Sequence, residues 1–580
     1  MSKKRIALIF SSLAGLFLLC ACIFWCFFQN EDHRFSSFAS SFFRQELSGN
    51  TLNLHYTLKD PSAFDMEDLP VSLGTYNSDA QGLCVSLENM LCQMDGFDRS
   101  RLSSDNRLTY DILYDSLSAS LKTAPFLLYE EPLSPLTGMQ SQLPILLSEY
   151  PFYDRQDVKD YLTLLTQMPD YFTSILAFEK EKADAGLLLP SFCIDTLAEE
   201  CRAFRNTGDD CYLYDAFESR LEDLHLSEKE QCSVLEQHRQ AMEESVFPAY
   251  SMLADGMSAL KAKAVNEKGL SGLPEGKEYY QALAAAETGS FRSVSELKEL
   301  TVRQMNEDLT GIQKLYQDSE KDASPSPSSD RFRSQGYALA DSNPASILTT
   351  LAGKLKDDFP SPPSVSVTVK YVQESLEEYV SPAFYMIPPI DDARENVIYI
   401  NRGHMPDDLT LFTTLAHEGY PGHLYQTTYY QATDPHPVRS LLNYGGYTEG
   451  WATYAEMLSW YYAPIPKKDA ALLQKNSSLI LGLYALADIG IHYDGWSLPE
   501  TVVFFQSYGI TDVPVIRDIY ERIVADPANY LKYYIGYVEF LELKKDAVRS
   551  WGKDFSQKRF HREVLETGPA SFDLLRDYLL

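Results

Sequence analysis

His417, Glu418 and His423, in the run Leu415-Ala-His-Glu-Gly-Tyr-Pro-Gly-His423, are the residues whose types and spacing best suit chemistry. Two imidazoles beside a carboxylate can hold a borderline cation and serve a water bound to it. The common arrangement puts the histidines four apart, because residues four apart on a helix differ by only about 40° around its axis. Here they are six apart, and a regular helix would turn them roughly 240° from one another. Pro421 supplies the escape. It lacks an N–H, its ring opposes the carbonyl four residues back, that of His417, and it biases Tyr420 away from helix. Gly422 tolerates an unusual backbone. The sequence therefore predicts a helix that bulges or breaks at Tyr420–Gly422 and then resumes, bringing His423 back toward His417.

A catalytic cation of this kind takes a third protein ligand. Tyr447-Thr-Glu449-Gly-Trp-Ala-Thr-Tyr-Ala-Glu456 reads as a helix 26 residues further on, and Glu449 is the expected ligand. Glu456 follows seven residues later, within about 20° of the same face. It either orients an imidazole or stands as a solvated carboxylate. Two histidines, one glutamate and an open position suit Zn²⁺. Glu418, next to a ligand, is then the expected general base, taking a proton from water and passing it to the leaving nitrogen. The plain alternative is a structural metal with no turnover, and a retained Glu418 argues against it.

These motifs resemble those of a bacterial domain-of-unknown-function family (eight-eight-five), whose hallmarks are H-E-x-x-P-G-H followed by E-G-W-A-x-Y-x-E. Further matches are Ala487-Asp-Ile-Gly-Ile-His492 with Gly495-Trp496, Tyr533-Tyr-Ile-Gly536, and Phe560-His561 through Leu565-Glu-Thr-Gly568. The family is similar to the mostly helical gluzincins. That resemblance implies two helical lobes flanking a deep cleft, with zinc held by two His and one Glu on its floor. It also implies a tyrosine or histidine from a C-terminal helix as donor to the tetrahedral oxyanion. Tyr533 is the candidate, with Tyr534 and Tyr537 left open because Tyr533 and Tyr537 share a helix face. His492 and, less so, His404 are candidates for binding substrate carbonyls, whereas His561 is expected to be structural. The strand near Asn396–Asn401 is expected to pair with a peptide backbone, as sheet edges do. Members are often lipoproteins.

The elements that must position these residues are mostly helices. Apolar residues recur at three- and four-residue steps over Asp157–Lys182, Ser227–Val246 and Leu297–Gln317, with His225 and His238 expected on the surface. Ala323-Ser-Pro-Ser-Pro-Ser-Ser-Asp330 reads as a linker. Ser364–Tyr371, Ala383–Ile387 and Asn396–Ile400 read as short strands, with a turn at Pro388-Pro389 and Asp391-Asp392. The expected organisation is an N-terminal segment 1–30, a helical lobe 31–325 and a catalytic lobe 326–580. The expected class is mainly α, gluzincin-like, with a small β-sheet beside the active-site helix.

Composition narrows the partners. With 50 Lys and Arg against 82 Asp and Glu, the formal charge is -32, which excludes nucleic acid as a partner. Lys3, Lys4 and Arg5 precede an uncharged run from Ile6 to Phe28, long enough to span a bilayer with its basic end inside. Leu19-Cys20-Ala21-Cys22 also resembles a lipoprotein cleavage site, with Cys22 as the lipidated residue. Either reading tethers an extracytoplasmic protein. The remaining six cysteines (Cys84, Cys92, Cys193, Cys201, Cys211 and Cys232) lack the spacing of a thiolate site, and sequence cannot pair them. The functional expectation is a zinc peptidase, with a non-peptide amide or ester hydrolase and a metal-bearing binding protein as rivals.

Overall fold

Helices occupy most of the chain because their stop and start signals are written locally. The computed structural model describes residues 31–580 except 136, 322–336, 373–376, 378–380 and 405–406. The expected anchor at 1–30, with Cys22, and the linker at 323–330 lie outside the described residues. Helices used below are labelled in chain order. α1 (Arg155–Ala185) starts at a reciprocal cap, in which Asp154 accepts from the Gln156 and Asp157 N–H groups and the Asp157 carboxylate reaches back. It stops at Gly186, whose φ of 73° ends the helix. α2 (Phe247–Leu260) packs on α1.

The next helices are α3 (Gly276–Thr288), α4 (Val294–Lys321) and α5 (Pro344–Lys354). Three short strands follow: β1 (Ser366–Tyr371), β2 (Ala383–Met386) and β3 (Glu395–Ile400), in the order β1-β3-β2. β1 runs parallel to β3, and β2 antiparallel, with Ala383 opposite Ile400 and Met386 opposite Val397. The strands fall within two residues of their expected limits. The peptide-pairing edge, however, was expected at 396–401, and β3 is the central strand. Both of its sides are taken by ladder hydrogen bonds, so the open edge near the site belongs to β2.

Beyond the sheet come α6 (Asp408–Glu418), α7 (His423–Gln431), α8 (Gly445–Ser459), α9 (Lys467–Ile489), α10 (Val513–Ala525), α11 (Asn529–Trp551) and α12 (Gln557–Thr567). α6 packs between α5 and β2 on one side and α8 on the other; α4 lies along α9, and α8 crosses α11.

Two apolar cores result. The smaller joins residues 133–257 with Leu52, Leu73, Val372 and Tyr399. The larger joins residues 35–129 with 270–359 and almost everything after 398. The cores therefore do not divide at residue 325. α4 closes onto α9 and α11, and the helices between residues 31 and 129 share the larger core, with residues 104–123 packed on α3. His225 is exposed as expected, but His238 is buried, its ring stacked on Phe217 at 4.2 Å between centroids. Among the described residues all six cysteines are free thiols.

Candidate metal centre

Asp407 caps α6 by accepting from the Thr410 N–H, and Leu409, Phe412, Leu415 and Ala416 bury its apolar face. The helix stops at Glu418. The chain then passes through Gly419, Tyr420, Pro421 and Gly422, with a cis Tyr420–Pro421 bond, and re-enters helix at His423. Two hydrogen bonds show how the detour works. Gly422 N–H donates to Ala416 O at 2.9 Å and Tyr425 N–H to Gly419 O at 3.2 Å, each spanning six residues instead of four. Two residues are looped out, so histidines six apart take the relation of histidines one turn apart. A Cβ at Gly422 would sit 1.7 Å from His417 O, which leaves glycine alone possible there. The Trp451 indole N–H donates to Pro421 O at 2.8 Å and holds the loop from α8.

α8 and α11 meet backbone to backbone. A Cβ on Gly450 would lie 2.4 Å from Gly536 C, and one on Gly536 would lie 2.1 Å from Gly446 O. This contact places Glu449, next to Gly450, against the stretch of α11 that carries Tyr533.

The result is a converging set of donors. His423 Nε2 lies 3.3 Å and His417 Nε2 3.6 Å from Glu449 Oε2, and the donor atoms of the three residues all lie within 4.8 Å of one another. A tetrahedral ion about 2.1 Å from each donor needs neighbouring donors about 3.4 Å apart, so the residues fit Zn²⁺. Glu456 Oε2 is 3.1 Å from His417 Nδ1, which leaves Nε2 as the inward atom of that ring. Glu418 turns into the same cavity, where its Oε2 accepts the Tyr385 N–H of β2 at 2.9 Å. That N–H points away from β3, as alternation along an antiparallel strand requires. Tyr533 lines the cavity with its ring 6.4 Å from that of His417.

Burial acts on every charge here. It disfavours the His417 imidazolium, but bonds to Glu449 and Glu456 and the charge of Glu418 outweigh it and hold the ring well above its ordinary pKa. Burial likewise opposes the Glu449 carboxylate, and His417 and His423 overcome it, pulling that group far below the usual range. Glu418 goes the other way: burial raises it, and the two histidines only partly offset the shift. Burial, then the charges of Glu449 and Glu418, raises the Tyr533 phenol well above its usual value. The cavity around these groups measures about 460 Å³. It shares Ser381, Pro382 and Phe384 with a second cavity of about 1120 Å³ walled by residues 135–200, 381–404 and 518–530.

The sequence profile of the bacterial proteins of unknown function (DUF885) matches residues 80–579. The chain belongs to this family. No curated protein matches it. Among solved structures it is similar to a candidate lipoprotein from Colwellia psychrerythraea, with a TM-score of 0.81 at 18% identity over 95% of this chain and 98% of that one. It is also similar to a candidate lipoprotein of unknown function from Shewanella oneidensis, with a TM-score of 0.65 at 16% identity over 93% and 99% of the two chains. At such identities the likeness is one of fold.

Other sequence candidates fall elsewhere. His492 is fully buried at the end of α9, where Nδ1 accepts the Leu270 N–H at 3.1 Å and Nε2 bonds Ile523 O at 2.7 Å. Both ring nitrogens are committed to joining residues 270 and 523, and burial pushes the ring down to about 4, so it is a packing residue rather than a substrate contact. His404 lines the larger cavity, not the donor cluster. The Tyr537 hydroxyl accepts from Gln474, and Tyr534 packs against Gly482, so neither lines the donor cavity. His561 bonds Tyr454 and Asp358 O inside the core. Three contributors were not foreseen. Tyr385, Trp451 and Gly536 act through a backbone N–H, an indole and an absent side chain, and only the Gly-Trp and Ile-Gly pairs of the motifs hinted at the last two.

Proposed function

We propose that this chain is a zinc-dependent peptidase tethered outside the cytoplasmic membrane. The observation that carries the reading is the meeting of His417, His423 and Glu449 with a separately held Glu418 in one cavity. Zinc, when bound, supplies Lewis acidity toward a peptide carbonyl and lowers the pKa of water beside it. The remaining work falls to the chain itself. Glu418 has Oε2 fixed by the Tyr385 N–H, leaving Oε1 to take the proton from the attacking water and return it to the leaving amine. Tyr533, kept un-ionised by its surroundings, donates a hydrogen bond to the oxyanion. Glu456 holds His417 by its outer nitrogen and keeps the ring turned inward. The open edge of β2 pairs with the substrate backbone and brings the scissile bond over Glu418. The basic N-terminus, the apolar run and Leu19-Cys-Ala-Cys22, together with lipoprotein-like structural neighbours, support lipid attachment at Cys22.

Glu418→Gln tests the reading. The variant is expected to retain one zinc per chain while turnover of a peptide library falls about 10²–10⁴-fold. Undiminished turnover, or a wild-type protein that takes up no zinc, overturns it. The cleavage positions in the library also tell trimming at a terminus from internal cutting.

A further inference from the structure

Resting on the peptidase reading, we infer that the substrates are cationic peptides, whose basic residues lie in the larger cavity beside the donor cluster. The two cavities share Ser381, Pro382 and Phe384 as a common wall along β2, so a peptide lying on that strand can reach from one toward the other. The larger, at about 1120 Å³, has room for several residues. Among the described residues its charged lining is one-sided: Glu200, Asp518, Glu521 and Asp526 share the wall with one guanidinium, Arg522, and with His404.

Nearby cations offset these carboxylates only in part. Glu200 accepts from Gln140 and Ser141. Burial raises the Asp526 carboxyl, and the charge of Lys532 and a bond from Thr137 offset part of that rise. Glu521 has Arg517 3.9 Å away, and burial, with a smaller push from Asp518, raises its pKa despite the opposing charge of Arg517. The donor cavity adds Glu418, Glu449 and Glu456 and, among the described residues, no lysine or arginine. Three carboxylates outweigh a divalent ion, so the metal does not reverse the sign. A free C-terminal carboxylate would meet repulsion from most of this surface, while lysine and arginine side chains or an amino terminus would be drawn in. A cleft lined by one sign of charge focuses its field on approaching ligands, and the net charge of -32 adds to the pull.

The test uses the full-length, zinc-loaded protein and internally quenched peptides that share one scissile pair, with lysine, glutamine or glutamate in the flanks. The lysine series is expected to exceed the glutamate series at least tenfold in kcat/KM at low salt, with the ratio shrinking as salt rises. Asp518→Asn combined with Glu521→Gln is expected to cut that ratio threefold or more. Equal rates across the series, or a ratio the double variant leaves unchanged, overturns the inference while leaving the peptidase reading intact. Anisotropy of the same peptides on the Glu418→Gln protein reads the preference without turnover. Charge-selective binding with no cleavage by the parent protein overturns the peptidase reading alone, and binding indifferent to charge overturns this one.

Discussion

Replacing Gly450 with alanine separates the geometry of the site from its chemistry, because the new methyl touches no proposed ligand. Its Cβ would fall 2.4 Å from Gly536 C, against the 3.4 Å at which ordinary contact begins, so α8 and α11 must part by about 1 Å. The obstacle is backbone, and it cannot rotate away. Overpacking of this kind costs about 1–3 kcal/mol of stability. The larger effect is expected on turnover. Glu449 precedes the substituted residue and Tyr533 lies one turn from Gly536, so the parting moves the proposed ligand and the proposed oxyanion donor relative to one another. A misplacement of about 1 Å costs on the order of 10²-fold in rate. Thermal unfolding, zinc content and kcat/KM on one peptide, measured side by side, check this. Gly353→Ala is the control, since nothing lies within 4 Å of its Cβ and a helical alanine is neutral or slightly stabilising. A Gly450→Ala protein indistinguishable from the control in both melting and turnover would refute the claim that the crossing sets the site.

Three further outcomes are expected. Gly422→Ala drives a methyl into His417 O, so zinc content should fall to near zero while far-ultraviolet circular dichroism stays close to the parent's. Glu456→Gln leaves His417 without its charged partner, and a competition titration with a chelator should show zinc affinity about 10–100-fold weaker. His492 and His561 are pushed by burial to about 4 and about 3, below the ordinary imidazole value near 6.5. The unfolded chain therefore binds more protons as acidity grows, and the stability conferred by neutral rings is present above about pH 6.5 and lost as pH falls toward 4. Melting temperature should drop across that interval, and the drop should be smaller in His492→Gln than in the parent.

Much of the site was legible because its signals are short and local. Proline and glycine between two histidines cannot belong to a regular helix, and that conflict predicted the break at Tyr420–Gly422. That Glu449 and Glu456 share one face followed from helical spacing, while the role of Glu456 stayed open. What sequence left open needed contacts between distant segments. Tyr533 and Tyr537 share a face by count, yet α11 is packed on both sides, and only its crossing with α8 shows which ring meets His417. His492 looked chemical by type and by motif, but its two nitrogens are engaged by main-chain groups far off in sequence. The open edge at β2 was misplaced for the same reason: strand order depends on a parallel partner, β1, that no local pattern reveals. The boundary at 325 followed composition, while the cores follow which helices cover α9 and α11.

The two histidines sit on different helices, α6 and α7, each secured by its own neighbours. α6 leans on α5 and β2, whereas α7 rests against α12, formed by residues Gln557–Thr567. Synthesis runs from the N-terminus, so His417, His423 and Glu449 all emerge before the segment that braces α7 and before the glycine pair can close. A nascent chain thus carries every donor atom while lacking the grip that would clasp an ion. On the proposed reading, metal capture is one of the last events of maturation, and activity waits until the tail has docked.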